Sequence, residues 1–324
     1  MSHTATERRV FLGYLGATGL VVGGASMATA TPERVVDRKS PGAAAGTILL
    51  GGDLEVSRMG FGAMRITGEG IWGPPADVDT ALAVLRRAYA LGVNFFDTAD
   101  AYGPDVSEAL IQRALHPYPR GFVVATKGGM TRQGPNRWAA DCRPEHLRAA
   151  CEASLQRLRL ERHELYQLHA VDAKVPYGDS VGELARLQQE GKIRHVGVSN
   201  VNAEQLAVAR GIVRVVSVQN RYNVADRASE DVLAICERDG IAFIPWGPLA
   251  QRAQSADELD PRIAALQELA ASRGITMAQA TLAWLLAKSP VMLPIPGTGR
   301  LKHLEENVRA AALTLSANEM QLIG

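Results

Sequence analysis

The chain has 324 residues, 35 of them basic and 34 acidic, for a formal charge of +1. That balance, with no basic run beyond the N-terminus, excludes the electrostatic footprint of a nucleic-acid binder. Hydrophobic residues make up 47% and aromatics only 5%, enough for one large core with the Ala, Leu, Val and Gly bias of helices packed on parallel strands.

Glu7-Arg8-Arg9-Val10-Phe11-Leu12 sets two adjacent arginines before a Gly/Ala-rich apolar stretch at 12–28, and Ala28-Thr29-Ala30 offers a small-residue cleavage site before Thr31. A charged start, a moderate apolar region and that site describe an export signal over residues 1–30. The arginine pair followed by Val-Phe-Leu resembles the twin-arginine type, whose pathway carries proteins already folded, often with a cofactor loaded. The other reading is a basic start on an uncleaved helical anchor, for which the stretch is short against the ~20 apolar residues of a span. The resemblance implies a twin-arginine export machinery as partner and a periplasmic or secreted protein. A cytoplasmic protein is the alternative, and the membrane is met only through this segment. Residues 31–46 read as a flexible linker. Cys142, Cys151 and Cys236 are odd in number and lack metal-ligand spacing, so buried or free thiols and no metal are expected.

From Thr47 the pattern is regular. Segments 47–50 and 54–57 flank Gly51-Gly52 and predict a small β-hairpin. Eight short apolar runs follow, at 59–62, 93–97, 122–127, 165–169, 195–199, 215–219, 242–246 and 291–296, each the length of a buried strand. Amphipathic stretches separate them. Asp77 precedes Val78, Leu82, Leu85 and Ala88, and Gly92 closes that helix. Arg143-Pro144-Glu145 opens another, Ser180-Val181-Gly182-Glu183 has capping-box spacing, and Asn202, Ser229 and Thr276 are further N-cap candidates.

Alternating strands and helices require a parallel sheet, and eight units predict a (β/α)8 barrel over residues 47–324. The competing open dinucleotide-binding sheet needs G-x-G-x-x-G between its first strand and helix. Here the first strand runs on as Gly60-Phe61-Gly62-Ala63-Met64-Arg65, which is not that fingerprint.

Polar residues close three consecutive runs: Phe95-Phe96-Asp97, Ala125-Thr126-Lys127 and Gln167-Leu168-His169. Strand carboxyl ends are where such barrels place chemistry, and Tyr102 lies in the loop after Asp97. The four side chains make sense together. A free phenol, with pKa ~10, is a poor acid near neutrality; a nearby lysine ammonium is expected to lower that value. Asp97 pairs with and aims Lys127, and a neutral His169 donates to a carbonyl oxygen. That is apparatus for protonating a carbonyl as hydride arrives, or for the reverse.

On these residues the chain resembles an aldo-keto reductase from about residue 47 to 307. The match rests on Asp97-Thr98-Ala99-Asp100-Ala101-Tyr102-Gly103, Ala125-Thr126-Lys127, Leu168-His169, Gly197-Val198-Ser199-Asn200, Gln219-Asn220 and Pro294-Ile295-Pro296-Gly297, in family order. The resemblance implies that Tyr102 is the proton donor, tuned by Lys127 and Asp97, with His169 orienting the carbonyl. It also implies a nicotinamide cofactor across the barrel mouth. Ser199, Asn200 and Gln219 would hold the carboxamide and Trp246 would stack on the ring. Gly297, Thr298, Arg300, His303, Glu306 and Asn307 would take the adenosine half. Many members carry Lys and Arg where this chain has Gly297 and His303; Arg300 is the natural 2′-phosphate partner. NADPH is therefore expected over NADH.

The segment 251–260 is short where some relatives carry a cofactor clasp, and the chain stops at Gly324. An open pocket is expected, lined by Met64, Arg65, Trp72, Trp138 and Asn136 and accepting a broad range of carbonyl substrates. Beside reversible NADPH-dependent reduction of aldehydes and ketones stand two other readings: a cofactor-binding redox sensor or regulatory subunit with slow turnover, and a cofactor-free sugar-binding barrel.

Overall fold

A computed structural model describes residues 39–249 and 260–324. The expected export signal at 1–30, residues 31–38 of the expected linker and most of the 251–260 segment lie outside the described residues. Within the linker stretch, Pro41–Ala45 winds into a 3-10 turn. Gly42 is buried there, its N–H donating to Leu91 O at 2.8 Å and its carbonyl accepting from Ser57 Oγ at 3.1 Å. Packing against the body of the protein therefore begins inside the stretch expected to be linker.

Strands β1 (Thr47–Leu50) and β2 (Leu54–Ser57) pair antiparallel, with Thr47 opposite Ser57. Gly51 and Gly52 turn between them at φ 61° and 85°, a region where a side chain is strained. Leu50, Leu54 and Val56 pack among Phe95, Val123, Leu165 and Ile244 of the barrel strands, so this pair fills one end of the barrel interior. Asp53 at its tip is held by Arg194 at 2.8 Å and His195 at 2.7 Å.

The barrel then builds in sequence: β3 (Phe61–Gly62), α1 (Val78–Ala90), β4 (Phe95–Asp97), α2 (Val106–Leu115), β5 (Val123–Gly128), then a hairpin of β6 (Met130–Gly134) and β7 (Arg137–Ala140). It continues with α3 (Pro144–Leu158), β8 (His163–Leu168), α4 (Tyr177–Gln189), β9 (Ile193–Ser199), α5 (Ala203–Ile212), β10 (Val215–Arg221), α6 (Glu230–Asp239) and β11 (Ala242–Trp246). Helices α7 (Pro261–Arg273) and α8 (Met277–Lys288) precede the last barrel segment, and α9 (Leu301–Arg309) and α10 (Ala317–Ile323) follow it. The seven strands β3-β4-β5-β8-β9-β10-β11 form one parallel sheet in chain order.

The eighth expected strand, 291–296, closes this sheet into a (β/α)8 barrel without forming a regular strand. On one side Phe243 N donates to Val291 O at 2.9 Å and Leu293 N to Phe243 O at 2.8 Å. On the other, Gly60 N donates to Pro294 O at 3.0 Å and Gly62 N to Pro296 O at 3.4 Å. Pro294 and Pro296 accept but have no N–H to return, so the ladder toward β3 runs one way only. Gly62 and Gly297 meet at this seam. A Cβ on Gly297 would lie 2.4 Å from Gly62 O, so no side chain fits at this position unless the seam shifts.

Helix starts follow the side chains that satisfy free N–H groups. Asp77 caps α1 through Thr80 N, and Asn202 and Thr276 form capping boxes with Gln205 and Gln279. Ser180 does not cap. Pro176 starts α4 earlier, and the buried Ser180 hydroxyl donates instead to Cys142 O at 2.7 Å. Ser229 sits at the N-cap of α6, but its hydroxyl accepts from Asn220 Nδ2 at 3.2 Å. The three cysteines are buried and free. Among the described residues no helix is long and apolar enough to cross a membrane.

Candidate active site

Asp97 ends β4, Lys127 is the penultimate residue of β5 and His169 follows β8, so parallel pairing sets all three at one rim. Register puts Asp97 opposite Ala125 and Lys127 opposite Gln167. The fully buried Lys127 ammonium donates to Asp97 Oδ2 at 2.7 Å, Thr98 O at 2.8 Å and the Tyr102 hydroxyl at 3.2 Å. Those contacts use all three N–H groups of an ammonium. The Tyr102 oxygen is thus an acceptor toward Lys127, which leaves its own proton for another partner.

The second carboxylate oxygen of Asp97 accepts from Gln219 Nε2 at 2.8 Å and Gln167 Nε2 at 3.1 Å. Gln167 is a site residue that the sequence reading did not single out. Its signal was available: it stands two positions before His169 in an otherwise apolar run, on the same face of the strand.

Burial and charge set the protonation states. Burial opposes the Lys127 charge, but Asp97 and Tyr102 outweigh it and raise its pKa above the ordinary lysine value. Tyr102 corrects the expectation from sequence. Burial raises its pKa more than the Lys127 charge lowers it, so the net shift is upward. The phenol therefore stays protonated across the neutral range. Burial, then the nearby Lys127 charge, pushes His169 well below its usual pKa and keeps it neutral. Its Nδ1 is closed to water and has no hydrogen-bond partner among the described residues. Burial and the charge of Glu108 push Asp100 up to about 8, which spares Tyr102 a second full negative charge near neutrality.

The β6–β7 hairpin walls this group. Trp138 stands edge-on to Tyr102, centroids 6.2 Å apart, and to His169 at 6.3 Å. Trp72 bridges to Gly103 and is half exposed. Met64 and Arg65 lie in the 3-10 turn after β3. Asn136 sits at the hairpin tip, its N–H bonded to Gly70 O at 2.8 Å.

A hydrogen-bonded chain leads away from the tetrad. Ser199 Oγ donates to Gln219 O at 2.7 Å; Asn200 Nδ2 donates to His169 O at 2.9 Å and Ser199 Oγ at 3.0 Å. Trp246 Nε1 donates to Asn200 Oδ1 at 2.9 Å, and the residue is 38% exposed at the end of β11. The side-chain donors of Ser199 and Asn200 are thus engaged within the protein, as is the Gln219 amide nitrogen. What this arc offers a bound carboxamide is acceptor oxygen, which suits the amide NH2.

The remaining expected cofactor residues form a separate group around α9. Arg300 is its N-cap in an extended conformation, and no side chain caps the helix. Free first-turn N–H groups with basic neighbours at Arg300, Lys302 and His303 suit a phosphate. Thr298 is buried and accepts from Arg300 N at 3.1 Å. Glu306 lies 4.0 Å from Lys302, and Asn307 is buried. Acceptor oxygens in the first group and N–H groups with cations in the second suit the carboxamide end and the phosphate end of a nicotinamide adenine dinucleotide phosphate.

A profile of the Aldo/keto reductase family matches residues 58–324. An uncharacterized oxidoreductase of Schizosaccharomyces pombe is 47% identical over 273 residues, 84% of this chain and 87% of that protein. Pyridoxine 4-dehydrogenase of Escherichia coli is 40% identical over 276 residues, 82% of this chain and 93% of that protein. The structure of an aldo/keto reductase from Klebsiella pneumoniae in complex with NADP and acetate superposes with a TM-score of 0.71 at 27% identity, covering 86% of this chain and 93% of that one.

Proposed function

From the premise that this chain belongs to the Aldo/keto reductase family and is an NAD(P)H-dependent oxidoreductase, we propose that it reduces aldehydes and ketones to alcohols, reversibly, with Tyr102 as proton donor. One observation carries this reading: Lys127 spends an N–H on the Tyr102 oxygen, so the phenol proton is directed elsewhere. A substrate carbonyl oxygen beside Tyr102 and His169 takes that proton, while the neutral imidazole supplies a hydrogen bond and no competing charge. When bound, the reduced nicotinamide supplies the hydride. As the phenol gives up its proton, the buried Lys127 ammonium stabilises the oxyanion left behind; Asp97 holds the ammonium directly and is itself held by Gln167 and Gln219. In the alcohol-to-carbonyl direction the same oxygen takes the proton back.

NADPH is the preferred reductant on this reading, with Arg300 and the uncapped start of α9 as the 2′-phosphate site; NADH is the weaker alternative. The relative that is a pyridoxine 4-dehydrogenase makes pyridoxal the first physiological candidate. Following NADPH oxidation with pyridoxal and 4-nitrobenzaldehyde, beside a Tyr102→Phe control, tests the proposal. A wild-type rate no higher than that of Tyr102→Phe refutes it, and NADPH binding without turnover favours the slow sensor instead.

Export is part of the proposal, and it rests on Arg8-Arg9, the apolar 12–28 stretch and Ala28-Thr29-Ala30. An enzyme exported folded carries its cofactor with it and recycles it between two substrates. Cell fractionation and N-terminal sequencing test this: a mature chain starting at Thr31 supports it, and a cytoplasmic chain starting at Met1 ends it.

A further inference from the structure

Arg132 of β6 makes contacts that the chemistry above does not use. A guanidinium has five N–H groups, and here each ends on a backbone carbonyl. Nε donates to Arg137 O at 3.3 Å, Nη1 to Ile71 O at 2.7 Å and Ala101 O at 3.1 Å, and Nη2 to Gly70 O at 2.8 Å and Gly134 O at 3.2 Å. These carbonyls belong to the segments that follow β3, β4 and β5, and Ala101 immediately precedes Tyr102. The guanidinium carbon also lies 3.7 Å from the ring centroid of Trp138 and 5.9 Å from that of Trp72.

One cation thus joins three rim segments and lies against one side of the indole that stands edge-on to both Tyr102 and His169. We propose that Arg132 is a positioning residue that holds Trp138 as a fixed wall beside the proton donor, and so selects flat aromatic aldehydes over aliphatic ones. This rests on the carbonyl-reductase reading above. With Arg132 over one face of the indole and Tyr102 and His169 meeting it edge-on, the opposite face is left to a substrate. A flat ring gains an aromatic contact there that an alkyl chain does not. Lysine cannot replace the clamp, because its point charge carries three donors and no plane to stack.

The test uses the full chain with NADPH, comparing Arg132→Lys, Trp138→Ala and the double variant on 4-nitrobenzaldehyde and butanal. An aromatic contact is worth about 2- to 10-fold. Arg132→Lys should raise KM for 4-nitrobenzaldehyde by about that factor, with kcat and butanal kcat/KM within about 2-fold of wild type and NADPH quenching of tryptophan fluorescence unchanged. Trp138→Ala should lower the ratio of kcat/KM for 4-nitrobenzaldehyde to that for butanal by at least as much, and the double variant should lower that ratio no further. Equal losses on both aldehydes, or a double variant that multiplies the two single losses, overturn the proposal. If Arg132→Lys does not fold, Trp138→Phe decides: it must keep the aromatic preference that Trp138→Ala loses. If the wild type reduces neither aldehyde, the reduction reading fails separately. The clamp is then read from 4-nitrobenzyl alcohol binding by fluorescence, which Arg132→Lys must weaken; equal binding overturns it.

Discussion

Asp97→Asn tests whether Lys127 acts as a charge held in place or as a bystander. Asp97 is 2% exposed and is the only carboxylate among the contacts of the Lys127 ammonium described above. An asparagine cannot repeat its pattern. Gln167 and Gln219 both donate to Oδ1 and Lys127 donates to Oδ2, so either orientation sets an NH2 against donors. Without the carboxylate, burial dominates and the Lys127 pKa falls. Leaving a buried ammonium unpaired costs about 3–5 kcal/mol, and releasing its proton at neutral pH costs about as much, so about 4 kcal/mol of stability should be lost. The catalytic effect follows from the 3.2 Å separation between Lys127 Nζ and the Tyr102 oxygen. At an effective dielectric of ~20, a full phenolate charge there interacts with the ammonium by about 5 kcal/mol. About half of that, for partial charge in the transition state, is roughly 10²-fold in rate. Single-turnover reduction with saturating NADPH isolates the chemical step. Lysine is charged below its pKa, so the ratio of variant to wild-type rate should climb as the pH is lowered through the depressed value. A ratio near one at every pH refutes the reasoning, and so does a loss that ignores pH.

Four further outcomes follow from other sites. Arg300→Ala should raise KM for NADPH by about 10- to 100-fold, the worth of a charge-assisted bond, and leave NADH within about 3-fold. Steady-state kinetics with both cofactors check this, and equal changes refute the 2′-phosphate role. His163 is fully buried, and burial lowers its pKa to about 4. Its neutral ring contributes stability that is present above the ordinary value of ~6.5 and lost as pH falls toward the folded value, about 3 kcal/mol in all. Urea melts at about pH 7 and pH 4 should show that extra acid sensitivity in wild type and not in His163→Gln. Gly297→Ala should cost about 2–3 kcal/mol, because its Cβ would meet the Gly62 carbonyl. Gly182→Ala, in mid-helix with nothing within 4 Å, should gain about 0.5–1 kcal/mol; thermal unfolding of the pair checks both signs.

The cluster was legible because Asp97, Lys127 and His169 each end an apolar run, where polarity is costly unless it is used, and Tyr102 lies in the loop after the first of them. Strand order was legible for the same reason, since short apolar runs alternated with capped amphipathic stretches. The β6–β7 hairpin was not. Met130-Thr131-Arg132-Gln133-Gly134 and Arg137-Trp138-Ala139-Ala140 have no clean period-two alternation, because neither segment lies over a continuous core. The upward shift of Tyr102 was also out of reach. It depends on how completely the fold shuts out water, and a list of neighbouring charges does not contain that quantity. Ser180 misled because capping-box spacing recurs inside helices, and only Pro176 marks the true start.

The five hydrogen bonds of the Arg132 clamp all end on main-chain oxygen. Gly70, Ile71, Ala101, Gly134 and Arg137 each contribute a carbonyl, and every amino acid carries one. Side chains on the rim can therefore be exchanged while the frame that aims Trp138 stays closed. For directed evolution this separates two properties that usually trade against each other. Libraries at Trp72 or Asn136 explore new substrates on a fixed scaffold, whereas a library at Arg132 changes the scaffold itself.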